Sequence, residues 1–304
     1  MPHYSVMLAR FPGNNQEHPD SAGWVTETAL KIKDDPRVER LEPWRISDTP
    51  APMIRNRAVR QAALWEVDYL LMIDNDMEPD PKRPDGKLLY VGAAPFWETA
   101  FEFLLAHREL PCAVGAPYCG PSPHNNIFVF LWRNKNNKPD SFSLEQFSRE
   151  EAALRGGIEE VAALPTGLIL YDMRIFKNMK KPYFYYEYSD EWESEKGSTE
   201  DVTQTRDMSL GWYMSGGQQG GKVFCAWDCW ARHIKLEHID KPHIIPVDMV
   251  GESLKQAARR NLHQNERLSF VGSGVHGDRT VARFQVDNGE PSSGQPALSD
   301  TGAI

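Results

Sequence analysis

Apolar positions recur with two different periods along the first 120 residues. Residues 4–9 form a short β-rich run closed by the turn cluster Pro12-Gly13-Asn14-Asn15. Trp24, Thr28 and Ile32 follow at four-residue spacing behind Asp20 and Ser21, either of which can cap the helix that this spacing predicts. Pro50 and Pro52 open a second helix carrying Ile54, Ala58, Ala62 and Trp65 on one face. Residues 69–73 are continuously apolar, as in a strand buried on both faces, and the run stops on Asp74-Asn75-Asp76. A third helix is predicted over 95–107 and another buried strand over 112–116. This alternation predicts an α/β fold, a Rossmann-like, mostly parallel central sheet with helices on both faces.

The second half is less regular. Ser143 and Gln146 have capping-box spacing for a helix running to Leu154. Residues 161–171 read as a strand interrupted by Pro165-Thr166-Gly167, and 183–198 as an aromatic, acidic loop near a site. A helix is predicted over 198–214 and a strand over 222–234. The pattern divides a single compact domain into two packed halves, 1–118 and 119–250. A C-terminal helix and extension follow over 251–286, then a low-complexity, disordered tail over 287–304.

Composition narrows the class. The 304 residues carry 34 basic and 43 acidic side chains, a net charge of −9, which argues against a uniformly phosphate-tracking surface. No apolar run approaches the roughly 20 residues of a membrane helix. Four cysteines are too few for a disulfide scaffold, and the first residues lack the features of a signal peptide, so the expected setting is the reducing cytoplasm. A soluble enzyme is the leading class.

Chemistry concentrates at four places. Ligands of open parallel sheets sit beyond the carboxyl ends of strands, where Asp74-Asn75-Asp76 falls. Alternation points Asp74 and Asp76 the same way, so both could serve one hard cation, Mg²⁺ or Mn²⁺, shared with a diphosphate; a solvated turn is the plain alternative. An EF-hand does not fit, because Pro79 occupies the glycine position. Arg55 and Arg57 lie one helix upstream, as base or phosphate contacts or as a solvated helix face. Glu200-Asp201 opens a helix, where a carboxylate serves either as general base or, with Ser198, as a cap. His233, His238 and His243 are five apart and share no face, which disfavours a three-histidine zinc site. Cys225, Cys229 and His233 do share one face, but CxxxC lacks zinc-knuckle spacing and Phe224, Trp227 and Trp230 read as core.

Taken in order, these pieces resemble the GT-A glycosyltransferases, closest to glycosyltransferase family 2-like sequences of phage and environmental type. The resemblance covers about residues 3–245. It rests on Arg55-Asn56, the Asp-x-Asp, the Pro165-Thr166-Gly167 turn, the aromatic loop, Glu200-Asp201 and the strand leading to His233. It implies an enzyme moving a sugar from a nucleoside-diphosphate sugar to an acceptor hydroxyl, on a glycan or a modified nucleic-acid base. Asp76 would hold the Mn²⁺ or Mg²⁺, with Asp74 on the ribose or a metal-bound water and His233, or else His238, completing the shell. Ala9, Arg10, Arg55, Asn56, Asp74 and Asn75 would contact the nucleotide sugar, and Thr166, Gly167 and Trp192 the sugar or acceptor. Asp201 would be the general base, with Glu200 next in line. The usual acid after the second strand has no clear counterpart, Asp48 being the nearest. Tyr185, Tyr188 and Trp192 could stack on a ring. Two other classes compete. A nucleotidyltransferase needs a glycine-rich phosphate loop after the first strand, which Phe11-Pro12-Gly13-Asn14 does not supply. A non-catalytic nucleotide-sugar or carbohydrate-binding module would bind donor without turnover.

Overall fold

The computed structural model describes residues 3–12, 17–46, 50–120, 126–133, 138–139, 143–188, 196–234, 238–239, 267–276 and 279–287. The chain divides into two compact units, 1–244 and 245–304. The first unit opens with β1 (Tyr4–Phe11), α1 (Pro19–Asp34), β2 (Val38–Arg45), α2 (Ala51–Leu64), β3 (Tyr69–Asp74), β4 (Met77–Glu78), α3 (Phe96–Ala106) and β5 (Cys112–Gly115). It continues through β6 (Phe130–Trp132), β7 (Leu144–Gln146), α4 (Arg149–Leu154), β8 (Ile158–Val161) and β9 (Leu168–Asp172). A 3-10 turn, Met173–Lys177, leads to β10 (Glu187–Tyr188), β11 (Lys196–Ser198), α5 (Glu200–Met214), β12 (Lys222–Ala226), β13 (Arg232–Ile234) and β14 (His238–Ile239).

Seven strands form the central sheet in the order β2-β1-β3-β9-β5-β12-β8. β1, β2, β3, β5 and β12 run the same way, and β9 and β8 are antiparallel insertions. Both predicted halves contribute to this one sheet, since β9 pairs with β3 on one side and β5 on the other. Alternation along β1 sends Met7 and Ala9 to one face, against Ile54, Ala58 and Ala62 of α2. Val6 and Leu8 face the other way, against Trp24 and Ile32 of α1 and Phe101 of α3. Leu70, Leu71, Met72 and Ile73 have no exposed surface, and each such side chain contributes about 1.5–3 kcal/mol on burial. The continuous apolar run of β3 follows from this double burial.

Several boundaries differ from the pattern. α1 starts earlier, with His18 as its cap: the imidazole accepts from the Asp20 amide at 3.3 Å. The capping box of α4 is Ser148–Glu151, not Ser143–Gln146; residues 144–146 instead pair with β6. α5 is preceded by Thr199, whose hydroxyl donates to Asp201, in place of a Ser198 cap. Residues 161–171 split between the edge strand β8 and the central β9, and 222–234 between β12 and β13. β2 escapes the hydrophobic pattern because it is a charged edge strand with proline inside it. In the second unit, β15 (Arg267–His276) and β16 (Arg279–Asp287) form an antiparallel hairpin where the pattern predicts a helix. Val275, Val281, Phe284 and Val286 favour strands, and Gly272 and Gly274 weaken a helix. The predicted tail beyond Asp287 lies outside the described residues.

Candidate active site

β3 delivers Asp74 to the carboxyl edge of the sheet, the edge where ligands of such folds bind. The backbone there is fixed from several sides. The Asp74 amide donates to the Gly167 carbonyl at 2.9 Å, and the His18 amide to the Asn75 carbonyl at 3.3 Å. The Ser21 hydroxyl donates to the Asp74 carbonyl at 3.4 Å. A Cβ on Gly167 would lie 2.7 Å from the Tyr118 hydroxyl, so glycine is what lets the phenol close against the 165–167 turn. Thr166 is buried in that turn, and its hydroxyl has no hydrogen-bond partner among the described residues.

Arg55 turns inward from α2 and sits almost wholly out of solvent. Its Nη2 donates to both Asp74 carboxylate oxygens, at 2.8 and 2.7 Å, and its Nη1 to Glu200 Oε1 at 2.6 Å. Burial works to lower its affinity for the proton, but Asp74, Asp201 and Glu200 more than offset it and hold the guanidinium charged. Burial pushes the Asp74 carboxyl up to about 6; Arg55 opposes that rise, while Asp76 and Asp201 add to it. Arg55 therefore ties β3 to the start of α5 instead of standing free for a base, and Glu200 is its second counter-ion.

Asp76 meets His233 across a small sheet of β14, β13 and β4. The register His233↔Met77, with the Ile234 amide donating to the Asp76 carbonyl at 2.6 Å, brings His233 Nε2 to 3.4 Å from Asp76 Oδ2. Arg232 adds an ion pair to Glu78 at 2.9 Å. On the other side of the ring, His233 Nδ1 lies 3.1 Å from the Cys119 carbonyl. A carbonyl only accepts, so Nδ1 carries a hydrogen and the carbonyl orients the ring with Nε2 facing Asp76, as the outer hydrogen bond of a metal-ligating histidine does. Tyr118 packs edge-on against the same imidazole, with ring centroids 5.3 Å apart. Its hydroxyl is held well above the usual tyrosine range, first by burial and then by Asp201, Asp74 and Asp76.

Asp201 lies in the first turn of α5, half-buried, with Oδ1 accepting from the Thr199 hydroxyl and the Val202 amide. Its field acts on Arg55, Asp74 and Tyr118 alike. Three carboxylates, Asp74, Glu200 and Asp201, thus act on one guanidinium, and Asp76 acts on Asp74, so the four acids outnumber Arg55 by 4 − 1 = 3 formal charges. Among the described residues, no three His, Cys, Asp or Glu side chains are arranged to hold a metal by themselves. Asp76 and His233 supply two donors, and Asp74 is engaged by Arg55. Two protein donors with substrate phosphates supplying further oxygens suit a hard cation, so the residues fit such an ion only together with a diphosphate.

Other predicted residues are placed differently. Asn56 does not face this edge: its Nδ2 donates to the carbonyls of Pro52 and Phe184, both at 2.7 Å, and its Oδ1 accepts from the amides of Tyr183 and Phe184. It fastens the 183–184 segment to α2. Ala9 is a core residue, while Arg10, at the end of β1, pairs with Glu17 at 3.1 Å. Tyr185 donates to Asp207 at 2.6 Å. Cys225 and Cys229 are buried free thiols, burial raising Cys225 well above its ordinary value and pushing Cys229 up to about 12. Trp192, His243 and Asp48 lie outside the described residues. Pattern reading missed Tyr118 and the Cys119 carbonyl, although they follow β5, a buried strand that runs the same way as β3, and so had to reach the same sheet edge.

No family model and no curated protein matches the chain. Among solved structures, A197 from STIV is similar over 80% of this chain and 97% of its own, at 13% identity and a TM-score of 0.43. Apo UDP-glucose pyrophosphorylase is similar over 85% of this chain and 82% of its own, at 10% identity and 0.35. HddC from Yersinia pseudotuberculosis, complexed with GMP-PN, is similar over 84% and 99%, at 9% identity and 0.31. Among the described residues, no helix is long and apolar enough to cross a membrane.

Proposed function

We propose that this chain is a divalent-cation-dependent glycosyltransferase, moving a sugar from a nucleoside-diphosphate sugar to an acceptor hydroxyl on a glycan or a modified nucleic-acid base. The observation that supports it most is the convergence of Asp76 and His233, 3.4 Å apart, beside three further carboxylates at the carboxyl edge of the sheet. A surplus of negative charge repels a bare nucleoside diphosphate and attracts a cation that can sit between them. Asp76 and His233 would hold Mn²⁺ or Mg²⁺, and the ion, when bound, would neutralise charge on the departing diphosphate.

The chain's own residues would do the rest. Arg55 keeps Asp74 fixed and charged beside the cation site. Arg10, paired with Glu17 near the end of β1, and Asn75, next to Asp74, would flank the nucleotide. Asp201, half-buried at the mouth of α5, would take the proton from the acceptor hydroxyl, a role typically worth about 10²–10⁴-fold. Glu200, tied to Arg55, is the poorer base. The deciding experiment incubates the protein with a panel of nucleotide sugars and Mn²⁺ and identifies the product released. Cation-dependent release of nucleoside diphosphate is expected. Pyrophosphate formed from a nucleoside triphosphate and a sugar phosphate would show nucleotidyl transfer instead, and tight binding with no turnover would leave only a binding module.

A further inference from the structure

Away from the acidic edge, a cavity of about 1770 Å³ runs along α2, from Pro50 to Leu64, and is closed by the Met173–Lys177 turn and the 181–186 segment. That exceeds the roughly 300–1,000 Å³ of small-molecule pockets and suits a chain-like ligand. Its polar lining inverts the sign of the molecule: Arg57, Arg60, Arg108, Arg174, Lys177 and Lys181 against four acids, in a protein of net charge −9. Two of those acids are already engaged, Asp172 by Arg174 and Asp68 by the Ser5 amide and hydroxyl. Among the described residues, the exposed Arg60, Lys177 and Lys181 have no ion-pair partner. The groove also holds the aromatic run Tyr183-Phe184-Tyr185-Tyr186, with the Lys181 ammonium 6.0 Å from the Tyr183 ring centre. An amide that could read sugar hydroxyls is lacking in practice, because all four bonds of Asn56 go to backbone.

Cations for phosphates and rings for bases are the pairing by which single strands are held. We propose that the α2 groove binds single-stranded nucleic acid, with Arg60, Lys177 and Lys181 on phosphates and the half-buried rings of Tyr185 and Tyr186 under bases. This site stands apart from the donor chemistry and does not depend on it.

The test is fluorescence anisotropy of a labelled oligothymidylate on the full chain between 50 and 200 mM salt. Three phosphate contacts give a slope of log K against log salt of about −2, a loss of roughly 20-fold across that range. Arg60→Ala with Lys181→Ala should bring the slope near −0.7, whereas Tyr186→Ala should weaken binding at least about fivefold with the slope unchanged. Circular dichroism checks the fold of each variant, and nucleoside-diphosphate binding with Mn²⁺, expected unchanged in all of them, reports the donor site separately. Absence of binding at 50 mM salt, or binding indifferent to Arg60 and Lys181, overturns the proposal. A sulfated oligosaccharide binding more tightly than the oligonucleotide, with the same sensitivity to those variants, would overturn it in favour of an anionic glycan.

Discussion

Arg55 holds both carboxylate oxygens of Asp74, at 2.8 and 2.7 Å, although 19 residues and a change from helix to strand separate them. With Glu200 on the other terminal nitrogen, one buried cation joins α2, β3 and α5. Removing it strands two carboxylates in a site built around a positive charge.

Arg55→Met is therefore expected to cost about 3–5 kcal/mol of stability in urea unfolding, the range for breaking one partner out of a buried pair. Arg55→Lys should fall between, since an ammonium cannot reproduce the fork whose two arms meet Asp74 and Glu200. A loss under about 1 kcal/mol in Arg55→Met would show the trio to be incidental.

Asp201 and Glu200 are neighbours with different work. Asp201→Asn keeps an oxygen for the Thr199 hydroxyl and the Val202 amide, so melting and donor binding should stay near normal while transfer drops about 10²-fold or more. Glu200→Gln removes a counter-ion of Arg55 and should act mainly on stability. Near wild-type transfer by Asp201→Asn would place the base elsewhere.

His233 is set by the Cys119 carbonyl to offer Nε2 toward Asp76. His233→Ala should raise the Mn²⁺ concentration needed for half-maximal donor turnover more than His238→Ala does. The reverse order would move the ligand to β14.

Acid stability offers an independent check on the packing of α1 against β2. Arg37 hydrogen-bonds the Asp35 carboxylate and holds it below the usual carboxylate range. A depressed value means that the folded state gives up its proton more readily than the unfolded one. The contribution is full above the unfolded value of about 3.9 and fades as pH falls through the folded value. The stability difference between wild type and Asp35→Asn should be present at pH 7 and shrink below pH 4; a gap independent of pH would remove the ion pair from the account.

What the sequence made legible follows from where each signal resides. The buried run of β3 and the acids that end it are local, so Asp74 and Asp76 stand out, and the helices α2 and α3 carry clear apolar faces. β2 does not, because an edge strand with exposed charges has no periodicity to read. The 145-residue reach from Arg55 to Glu200 leaves no trace in spacing, so Arg55 resembled a surface contact when it is a buried one. The meeting of Asp76 with His233 depends on a two-residue strand, β4, too short to carry a pattern of its own. Asn56 was visible as a polar residue beside Arg55, but one step along a helix turns it to a different neighbour, the 183–184 backbone.

The most direct measurement is calorimetric titration of nucleoside diphosphates into wild type and Asp76→Ala, each with and without Mn²⁺. The expected result is binding of at least one diphosphate by wild type only when Mn²⁺ is present, and its loss in a folded Asp76→Ala. Equal, cation-independent affinity in the two proteins would contradict a metal-bridged donor site at Asp76 and His233.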